Sequence, residues 1–202
     1  MEAFTTLSAV ALPIDQPNLD TDQIIPARFL GKPRDMQTGA LFHDLRYDRD
    51  GQPRPEFVLN QPGFAGARII VAERNFACGS SRENAVTVMV DNDFRAFIAP
   101  SFGDIFFGNC FQNGVLPIRL DAARVAEIRA GLHATPGAKI TIDLAGQTVT
   151  GPDGKTDHFE IDSFRKDCLL RGADEISLTL GYEKDITAFE ARQRDEMSWL
   201  AR

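Results

Sequence analysis

The middle of the chain alternates between short apolar runs and stretches in which apolar residues recur at helical spacing. Predicted strands span about 67–73, 94–99 and 115–120, and predicted helices span about 82–92 and 121–133, with a short aromatic helix after Ser101. In the helix over 121–133, apolar residues fall at 125, 128 and 132, which is the spacing of one buried helix face. Strands that alternate with helices in this way predict a parallel or mixed sheet with helices packed against it.

The regions on either side follow other patterns. Residues 7–14 predict a first strand, and residues 139–144 alternate with a period of two, which is typical of a half-buried antiparallel strand. The predicted partners of that second strand are 148–150 and 158–161. A further helix is expected to begin with Ser163 as its cap and to end at Gly172, because glycine is a common helix stop.

Two long segments are expected to stand apart from the sheet. The stretch over about 28–63 is rich in Gly, Pro, Asp and Arg, and loops of this length in compact domains are usually functional, so we interpret it as a flap. Residues 183–202 are charged and amphipathic, which predicts a helical tail lying on the body or on a partner. The apolar residues of this tail are Ile186, Phe189, Met197 and Trp199.

Composition narrows the class of protein. A chain of 202 residues with 43% hydrophobic content suits a single domain over 1–202 with a sizeable core. The net charge of −7 argues against nucleic acid as a partner, and no apolar run is long enough to span a bilayer. The three cysteines, Cys78, Cys110 and Cys168, are widely spaced and odd in number, which favours a reducing compartment. We therefore expect a cytoplasmic protein.

The segment from Asn75 to Ala85 is the strongest candidate site. It joins a predicted strand to a predicted helix through Gly79, and a glycine turn before a helix start favours binding of a carboxylate or phosphate. The alternative interpretation is structural, because Ser80-x-x-Glu83 matches a capping box. The spacing of a P-loop is absent, and so is the Gly-x-Ser-x-Gly pattern of a serine-hydrolase elbow.

Four ordered segments resemble one family. The segment over 75–85 is similar to the Asn-Phe-Gly-Cys-Gly-Ser-Ser-Arg-Glu-His-Ala signature of the swivelling domain of the aconitase superfamily. In particular it resembles the free-standing small subunits of the 3-isopropylmalate dehydratase family. The segments over 18–26, 101–117 and 164–180 resemble the other motifs of that family, so the likeness extends over roughly residues 7–182 in order.

The resemblance implies a three-layer β/β/α swivelling domain that works with a large subunit, as a heterodimer or heterotetramer, on a hydroxy-diacid. It implies that Ser80 is the base that removes a proton next to a carboxylate and that Asp22 is an active-site carboxylate that orients the other groups. It implies that the substrate-binding residues are Gly79, Ser81 and Arg82. The 4Fe-4S cluster of the family is expected on the large subunit, since three scattered cysteines cannot hold one.

The chain also departs from the family pattern. Ala77 stands where glycine is usual, Asn84 where histidine is common and Gly103 where alanine is frequent. The flap over 29–39 lacks the usual Lys-Arg-Thr-Gly run, which leaves the substrate open. The expected reaction is isopropylmalate isomerisation in leucine biosynthesis. A paralogous hydro-lyase acting on citramalate/citraconate or dimethylmalate is the alternative, followed by a non-catalytic anion-binding module.

Overall fold

A computed structural model describes residues 1–80, 82–197 and 199. Within these residues, seven strands form one mixed sheet in the order β4-β3-β2-β1-β5-β6-β7. The strands are β1 (Thr6–Ile14), β2 (Ile69–Ala72), β3 (Ala96–Ala99), β4 (Leu116–Arg119), β5 (Lys139–Asp143), β6 (Thr148–Thr150) and β7 (Thr156–His158). The helices are α1 (Thr21–Ile24), α2 (Arg34–Gln37), α3 (His43–Arg46), α4 (Asn84–Val90), α5 (Asp104–Gln112), α6 (Ala122–Ala134), α7 (Ser163–Arg171), α8 (Glu175–Gly181) and α9 (Glu183–Glu196).

Strand β1 belongs to both halves of the sheet. Its residues 11–14 pair in parallel with β2, and its residues 6–10 pair antiparallel with β5. Strands β2, β3 and β4 continue the parallel half, while β5, β6 and β7 continue the antiparallel half. Together with the helices these halves form a three-layer α/β arrangement, which confirms the expected fold class.

The parallel half is buried on both faces. Along β2, Ile70 and Ala72 join one apolar cluster, which contains α4, α5 and parts of the flap region. Ile69 and Val71 point to a second cluster, which contains the apolar face of α6 and the antiparallel strands. Because both faces are covered, the central strands are continuous apolar runs rather than alternating ones.

Several predicted element boundaries were wrong by a few residues. Helix α4 is shorter than the predicted 82–92, and β7 lies earlier than the predicted 158–161. Helix α7 is capped by Asp162, whose side chain accepts from the Arg165 amide at 3.1 Å, rather than by Ser163. Its predicted stop is confirmed, since Gly172 has a φ of 65°.

The predicted flap over about 28–63 is mostly short helical turns rather than irregular loop. Besides α2 and α3 it contains 3₁₀ turns at Ala27–Phe29, Thr38–Ala40, Val58–Asn60 and Pro62–Phe64. Ala40, Leu41 and Phe42 are completely buried in the first apolar cluster. The glycine and proline content predicted a loop, but these apolar residues hold the segment against the body.

The C-terminal helices are far more exposed than the rest of the chain. None of the described residues of α9 is buried, and Tyr182, Phe189 and Trp199 are 64%, 57% and 70% exposed. The helical tail is thus confirmed over residues 183–196, but its apolar side chains are open to solvent; residues 198 and 200–202 of the predicted tail lie outside the described residues. No helix in the described part is long and apolar enough to cross a membrane.

Candidate active site

Three loops meet at one edge of the parallel half-sheet. Strands β1, β2 and β3 are neighbours that run in parallel, so their carboxyl ends lie side by side. The loop over 15–20 and helix α1 follow β1, the loop over 73–83 follows β2, and residues 100–103 follow β3. Ligands of open α/β sheets bind at this carboxyl edge, and the predicted site residues of the first two loops fall there.

The first two loops are joined by a ladder of contacts. Asp20 and Cys78 form an isolated parallel bridge, in which the Thr21 amide donates to the Cys78 carbonyl at 3.0 Å. Thr21 is only 1% exposed as a residue, and its hydroxyl donates to the Ser80 carbonyl at 3.2 Å. The backbone at Ser80 is therefore held from the β1 side. Thr21 was missed from the sequence because nothing local distinguishes it from an ordinary helix residue.

Asp22 and Arg82 form an ion pair although they lie 60 positions apart in the chain. Nη1 of Arg82 donates to Oδ1 of Asp22. The Arg82 side chain is 21% exposed and the Asp22 side chain 52% exposed, so the pair sits at the rim with the guanidinium partly covered. Two predicted site residues are thus brought into direct contact. The side-chain cap of this turn comes from Asp20, which leaves the Asp22 carboxylate to pair with Arg82.

The capping box lies in the first loop and not in the second. Asp20 accepts from the Gln23 amide at 2.8 Å, and the Gln23 side chain accepts from the Asp20 amide at 3.0 Å. Helix α4 begins only at Asn84, and its N-cap, Glu83, makes no side-chain cap bond. The capping-box interpretation of Ser80 and Glu83 is therefore wrong, whereas the Asp20-x-x-Gln23 spacing could have been recognised from the sequence.

Ser80 lies on the exposed rim of the site, together with Gly79. The sequence placed Ser80 at a helix start, but α4 has seven residues and begins after Arg82. Because the effect of a helix dipole fades within its first turn, α4 gives Ser80 less support than expected. Ser81, the other predicted hydroxyl, lies outside the described residues.

The second loop has an unusual backbone. Asn75, Ala77 and Gly79 have φ values of 58°, 55° and 90°, all in the left-handed region. Glycine adopts this region freely and asparagine fairly readily, whereas alanine is strained in it. Asn75 is further fixed by its side-chain amide, which donates to the Asn18 side-chain oxygen at 2.9 Å. This backbone leaves Gly79 and Ser80 exposed at the rim, with Arg82 partly covered beside them in the chain.

The third loop supports the second. The hydroxyl of Ser101 accepts from the Asn75 amide at 2.9 Å, and the Ser101 carbonyl accepts from the Phe76 amide at 3.0 Å. The Gly103 amide donates to the Phe76 carbonyl at 2.9 Å. Ser101 was expected to start a helix, but α5 begins at Asp104 with Gly103 as its N-cap. Ser101 instead fixes the base of the candidate site loop.

The cysteines do not suit a metal cluster. Cys110 is fully buried in the first apolar cluster, where burial raises the pKa of its thiol well above the ordinary value. On α7, burial likewise raises the pKa of Cys168, although less. Cys78 is partly buried beside Asn18, 3.5 Å from its carbonyl. A cluster needs thiolates, which burial disfavours, and within the described residues no group of three His, Cys, Asp or Glu side chains is arranged for a metal.

Comparison with known proteins identifies the family. The model of the aconitase C-terminal domain matches residues 1–123, and the LeuD_N model matches 126–163. The model of the C-terminal domain of 3-isopropylmalate dehydratase small subunits matches 175–202. The 3-isopropylmalate dehydratase small subunit of Paramagnetospirillum magneticum is 49% identical over 201 residues, which cover 99% of this chain and 100% of that protein.

A second relative points to the same family, and a solved structure shares the fold. The small subunit of Leptospira interrogans is 49% identical over 203 residues, covering 99% of this chain and 98% of its own. The crystal structure of a 3-isopropylmalate dehydratase from Methanocaldococcus jannaschii has the same fold, with a TM-score of 0.63 and 23% identity over 93% of this chain and 99% of that one. The resemblance seen in the motifs is thereby confirmed, and the chain belongs to the family of 3-isopropylmalate dehydratase small subunits in the aconitase superfamily.

Proposed function

We propose that this chain is the small subunit of a hydro-lyase that interconverts 2-isopropylmalate and 3-isopropylmalate by dehydration and rehydration in leucine biosynthesis, in the cytoplasm. The observation that carries the proposal is the contact between Asp22 and Arg82, which lie 60 positions apart and meet at the carboxyl edge of the sheet. Thr21, next to Asp22 in the chain, binds the Ser80 carbonyl there. Relatives that match along nearly their whole length are named 3-isopropylmalate dehydratase small subunit, which supports the proposal.

In this proposal Ser80 moves the proton. Its hydroxyl oxygen, as the alkoxide, takes the proton from the carbon next to a substrate carboxylate, and the electron pair of that C–H bond forms the double bond as hydroxide leaves the neighbouring carbon. Rehydration reverses these changes and returns the proton. A serine hydroxyl is a weak base, so a nearby positive charge must stabilise its alkoxide. The partly covered guanidinium of Arg82 is the nearest such charge in the sequence, two positions away.

Arg82 binds the substrate carboxylate and Asp22 orients Arg82. A guanidinium has five N–H donors in a planar fork that matches a carboxylate, and Asp22 engages it through Nη1. The ion pair restricts the rotation of the fork before substrate arrives, which favours one binding geometry. Gly79, whose positive φ lets the loop turn, and Ser81 complete the proposed carboxylate site.

The chain acts as a single swivelling domain and needs the large subunit. The thiols of this chain do not suit a 4Fe-4S cluster, so we assign the cluster of the enzyme to the large subunit. The open position of the site supports this assignment, because Gly79 and Ser80 are exposed and Asp22 is half exposed. An active site that is completed by a partner is expected to be open in this way. The exposed apolar residues of α8 and α9 provide additional surface for such a partner.

The flap supplies the second candidate, a paralogous hydro-lyase for a smaller diacid such as citramalate/citraconate or dimethylmalate. The flap joins the site through Gln37, which is 5% exposed and accepts from the Asn84 side-chain amide at 3.1 Å. Both the flap and Asn84 depart from the family pattern, and they touch each other. A changed side-group pocket would alter the substrate and leave proton transfer at Ser80 in place.

Reconstitution tests the proposal. The chain is co-expressed with a large subunit of the family, and turnover is measured on 2-isopropylmalate, citramalate and dimethylmalate. We expect the complex to prefer isopropylmalate, and the purified single chain to show neither turnover nor the visible absorbance of an iron–sulfur cluster. Preference for a smaller diacid would favour the second candidate, and a stoichiometric cluster in the single chain would overturn the assignment of the cluster.

A further inference from the structure

A mostly covered arginine joins the bases of the two chain segments that lead to Asp22 and Arg82. Arg129 lies on α6, a helix whose apolar residues pack in the second cluster. Its guanidinium reaches two carboxylates at once, that of Asp15 through Nη1 and that of Glu73 through Nη2. The Arg129 side chain is 11% exposed and the Glu73 side chain 21%, so their contact is largely shielded from water, whereas Asp15 reaches the guanidinium from a side chain that is 56% exposed.

The two carboxylates occupy equivalent places at the strand ends. Asp15 directly follows β1, and Glu73 directly follows β2. The two strands are paired there, since the Glu73 amide donates to the Ile14 carbonyl at 3.0 Å. Two like charges on adjacent strand ends repel each other, more strongly where water is partly excluded. The positive charge of Arg129 offsets the negative charges of Asp15 and Glu73. His133, one turn further along α6, also contacts Asp15, with Nε2 2.7 Å from Oδ2.

The contacts between the loops continue from this base to the rim. Further along the two loops, beyond Asp15 and Glu73, the Asn18 backbone amide donates to the Arg74 carbonyl at 3.0 Å. The ladder then runs through the Asn18–Asn75 side chains, the Asp20–Cys78 bridge and the Thr21–Ser80 hydrogen bond, and ends at the Asp22–Arg82 ion pair. A shift between the loops at their base would therefore be passed to the distance between Ser80, Asp22 and Arg82.

We propose that Arg129 is a positioning residue for the reaction. By neutralising Asp15 and Glu73 together it holds the loops after β1 and β2 at one separation, and thereby sets the geometry of the Asp22–Arg82 pair and of Ser80. This inference rests on the proposed function for its effect on turnover, but its effect on the loops does not depend on the identity of the substrate.

The same helix offers a matched comparison. Arg124 also lies on α6, is also 11% exposed, and contacts Asp153, Asp157 and Glu127. Its contacts join α6 to the turn between β6 and β7 and to β7 itself, in the antiparallel half of the sheet. The buried Nε of Arg129 has no hydrogen-bond partner among the described groups, so Arg129 gives up one hydrogen bond while it reaches both carboxylates. Both arginines serve the fold, but only Arg129 touches the site loops.

The experiment compares Arg129→Gln, Arg129→Gln/Glu73→Gln and Arg124→Gln. Amide hydrogen exchange of residues 15–22 and 73–80 is measured in the single chain, and kcat and KM in the reconstituted complex. We expect Arg129→Gln to speed exchange in both loops and to lower kcat on the order of 10- to 100-fold, since small misplacements of reacting groups are costly. In Arg129→Gln/Glu73→Gln, where the Glu73 charge is removed as well, loop exchange should slow again and kcat should recover much of its loss. Arg124→Gln should lower the melting temperature without changing loop exchange or kcat.

The outcomes separate the two proposals. If Arg129→Gln lowers the melting temperature as Arg124→Gln does and leaves loop exchange and kcat unchanged, Arg129 is only a structural residue. If Arg129→Gln does not fold, Arg129→Lys retains one charge that cannot reach both carboxylates, and a normal kcat with normal exchange in that variant would overturn the inference. If the unaltered complex fails to turn over isopropylmalate, the proposed function fails, and the exchange comparison still decides the role of Arg129.

Discussion

A Cβ atom on Gly103 would lie 2.5 Å from the carbonyl oxygen of Ala77 and 3.1 Å from Cα of Cys78. Ala77 is itself held at a φ of 55°, where alanine is strained. In the family signature glycine is usual at the position of Ala77 and alanine is frequent at the position of Gly103. This chain therefore carries the opposite pair. The site loop thus carries a methyl group at Ala77, and its backbone packs closely against Gly103, which has no side chain.

Gly103→Ala should destabilise the protein by about 1–3 kcal/mol, because the added methyl group meets backbone that cannot move aside cheaply. Thermal unfolding measures the change. Gly108→Ala is the matched control: it lies within α5, where a Cβ atom meets nothing within 4 Å, and should stabilise by about 0.5–1 kcal/mol. A melting temperature unchanged by Gly103→Ala would mean that the loop shifts freely at Ala77.

The two positions should also be coupled. Ala77→Gly removes the strain of the left-handed conformation and lets the loop backbone relax, so Gly103→Ala should cost less in its presence. A double-mutant cycle on unfolding free energies measures this coupling. Strictly additive changes would show that Ala77 and Gly103 adapted independently.

Ser80→Ala should lower kcat by about 10²–10⁴ in the reconstituted complex, which is the usual contribution of a proton-transfer group. Its melting temperature should stay close to that of the unaltered chain, since Ser80 does not cap α4. Ser101→Ala is the contrasting variant, because its hydroxyl accepts from the backbone amide of Asn75 in a partly buried hydrogen bond, and it should cost about 1 kcal/mol of stability. A Ser80→Ala enzyme with normal kcat would remove Ser80 from the mechanism.

Asp22 and Arg82 should act on substrate binding. Arg82→Lys retains the charge but loses the planar fork, so KM should rise and kcat should fall through misalignment. Asp22→Asn leaves Arg82 less well oriented and should raise KM by a smaller factor. Both are measured by steady-state kinetics of the complex. If Asp22→Asn lowered kcat as strongly as Ser80→Ala, Asp22 would be a proton-transfer group and not an orienting one.

The parts of the structure that sequence predicts well are those set by local patterns. The apolar run at Ile69–Ala72 marks a strand, and Gly172 marks a helix end, because both depend on neighbours in the chain. The position of Ser80 was predicted less well, since two capping-box spacings occur and the backbone uses the one at Asp20. The role of Arg129 could not be read from the sequence, because its partners follow strands β1 and β2, far away along the chain.

Exchange of the flap tests what selects the substrate. Replacing residues 28–40 by the corresponding loop of a relative should change which diacid is preferred and leave assembly with the large subunit intact. The exchanged loop should retain Gln37, whose side chain accepts from Asn84 and donates to the Lys32 carbonyl at 2.7 Å. Turnover on a panel of diacids measures the change. An unaltered preference would assign selectivity to the large subunit.

The flap should also loosen in acid. The Arg28 guanidinium, through its hydrogen bonds, holds the pKa of Asp44 at about 2, below the ordinary value of 3.8. Because the folded pKa is the lower one, the ion pair contributes stability above about pH 4 and loses it progressively as the pH falls toward 2. Both side chains are about half exposed, so the contribution is modest.

Asp44→Asn and Arg28→Gln should therefore each speed amide exchange around residues 28–46 at pH 6, with exchange rates corrected for the intrinsic effect of pH. Their difference from the unaltered chain should shrink as the pH is lowered below about 4 and should be small near pH 2, where the Asp44 carboxylate of the folded chain is already about half protonated. The double variant should show little more than Asp44→Asn alone, since that change already removes both the Arg28 pair and the His43 contact of Asp44. A difference at pH 2 as large as that at pH 6 would mean that Asp44 supports the flap by packing, and the acid dependence would then have to come from another carboxylate.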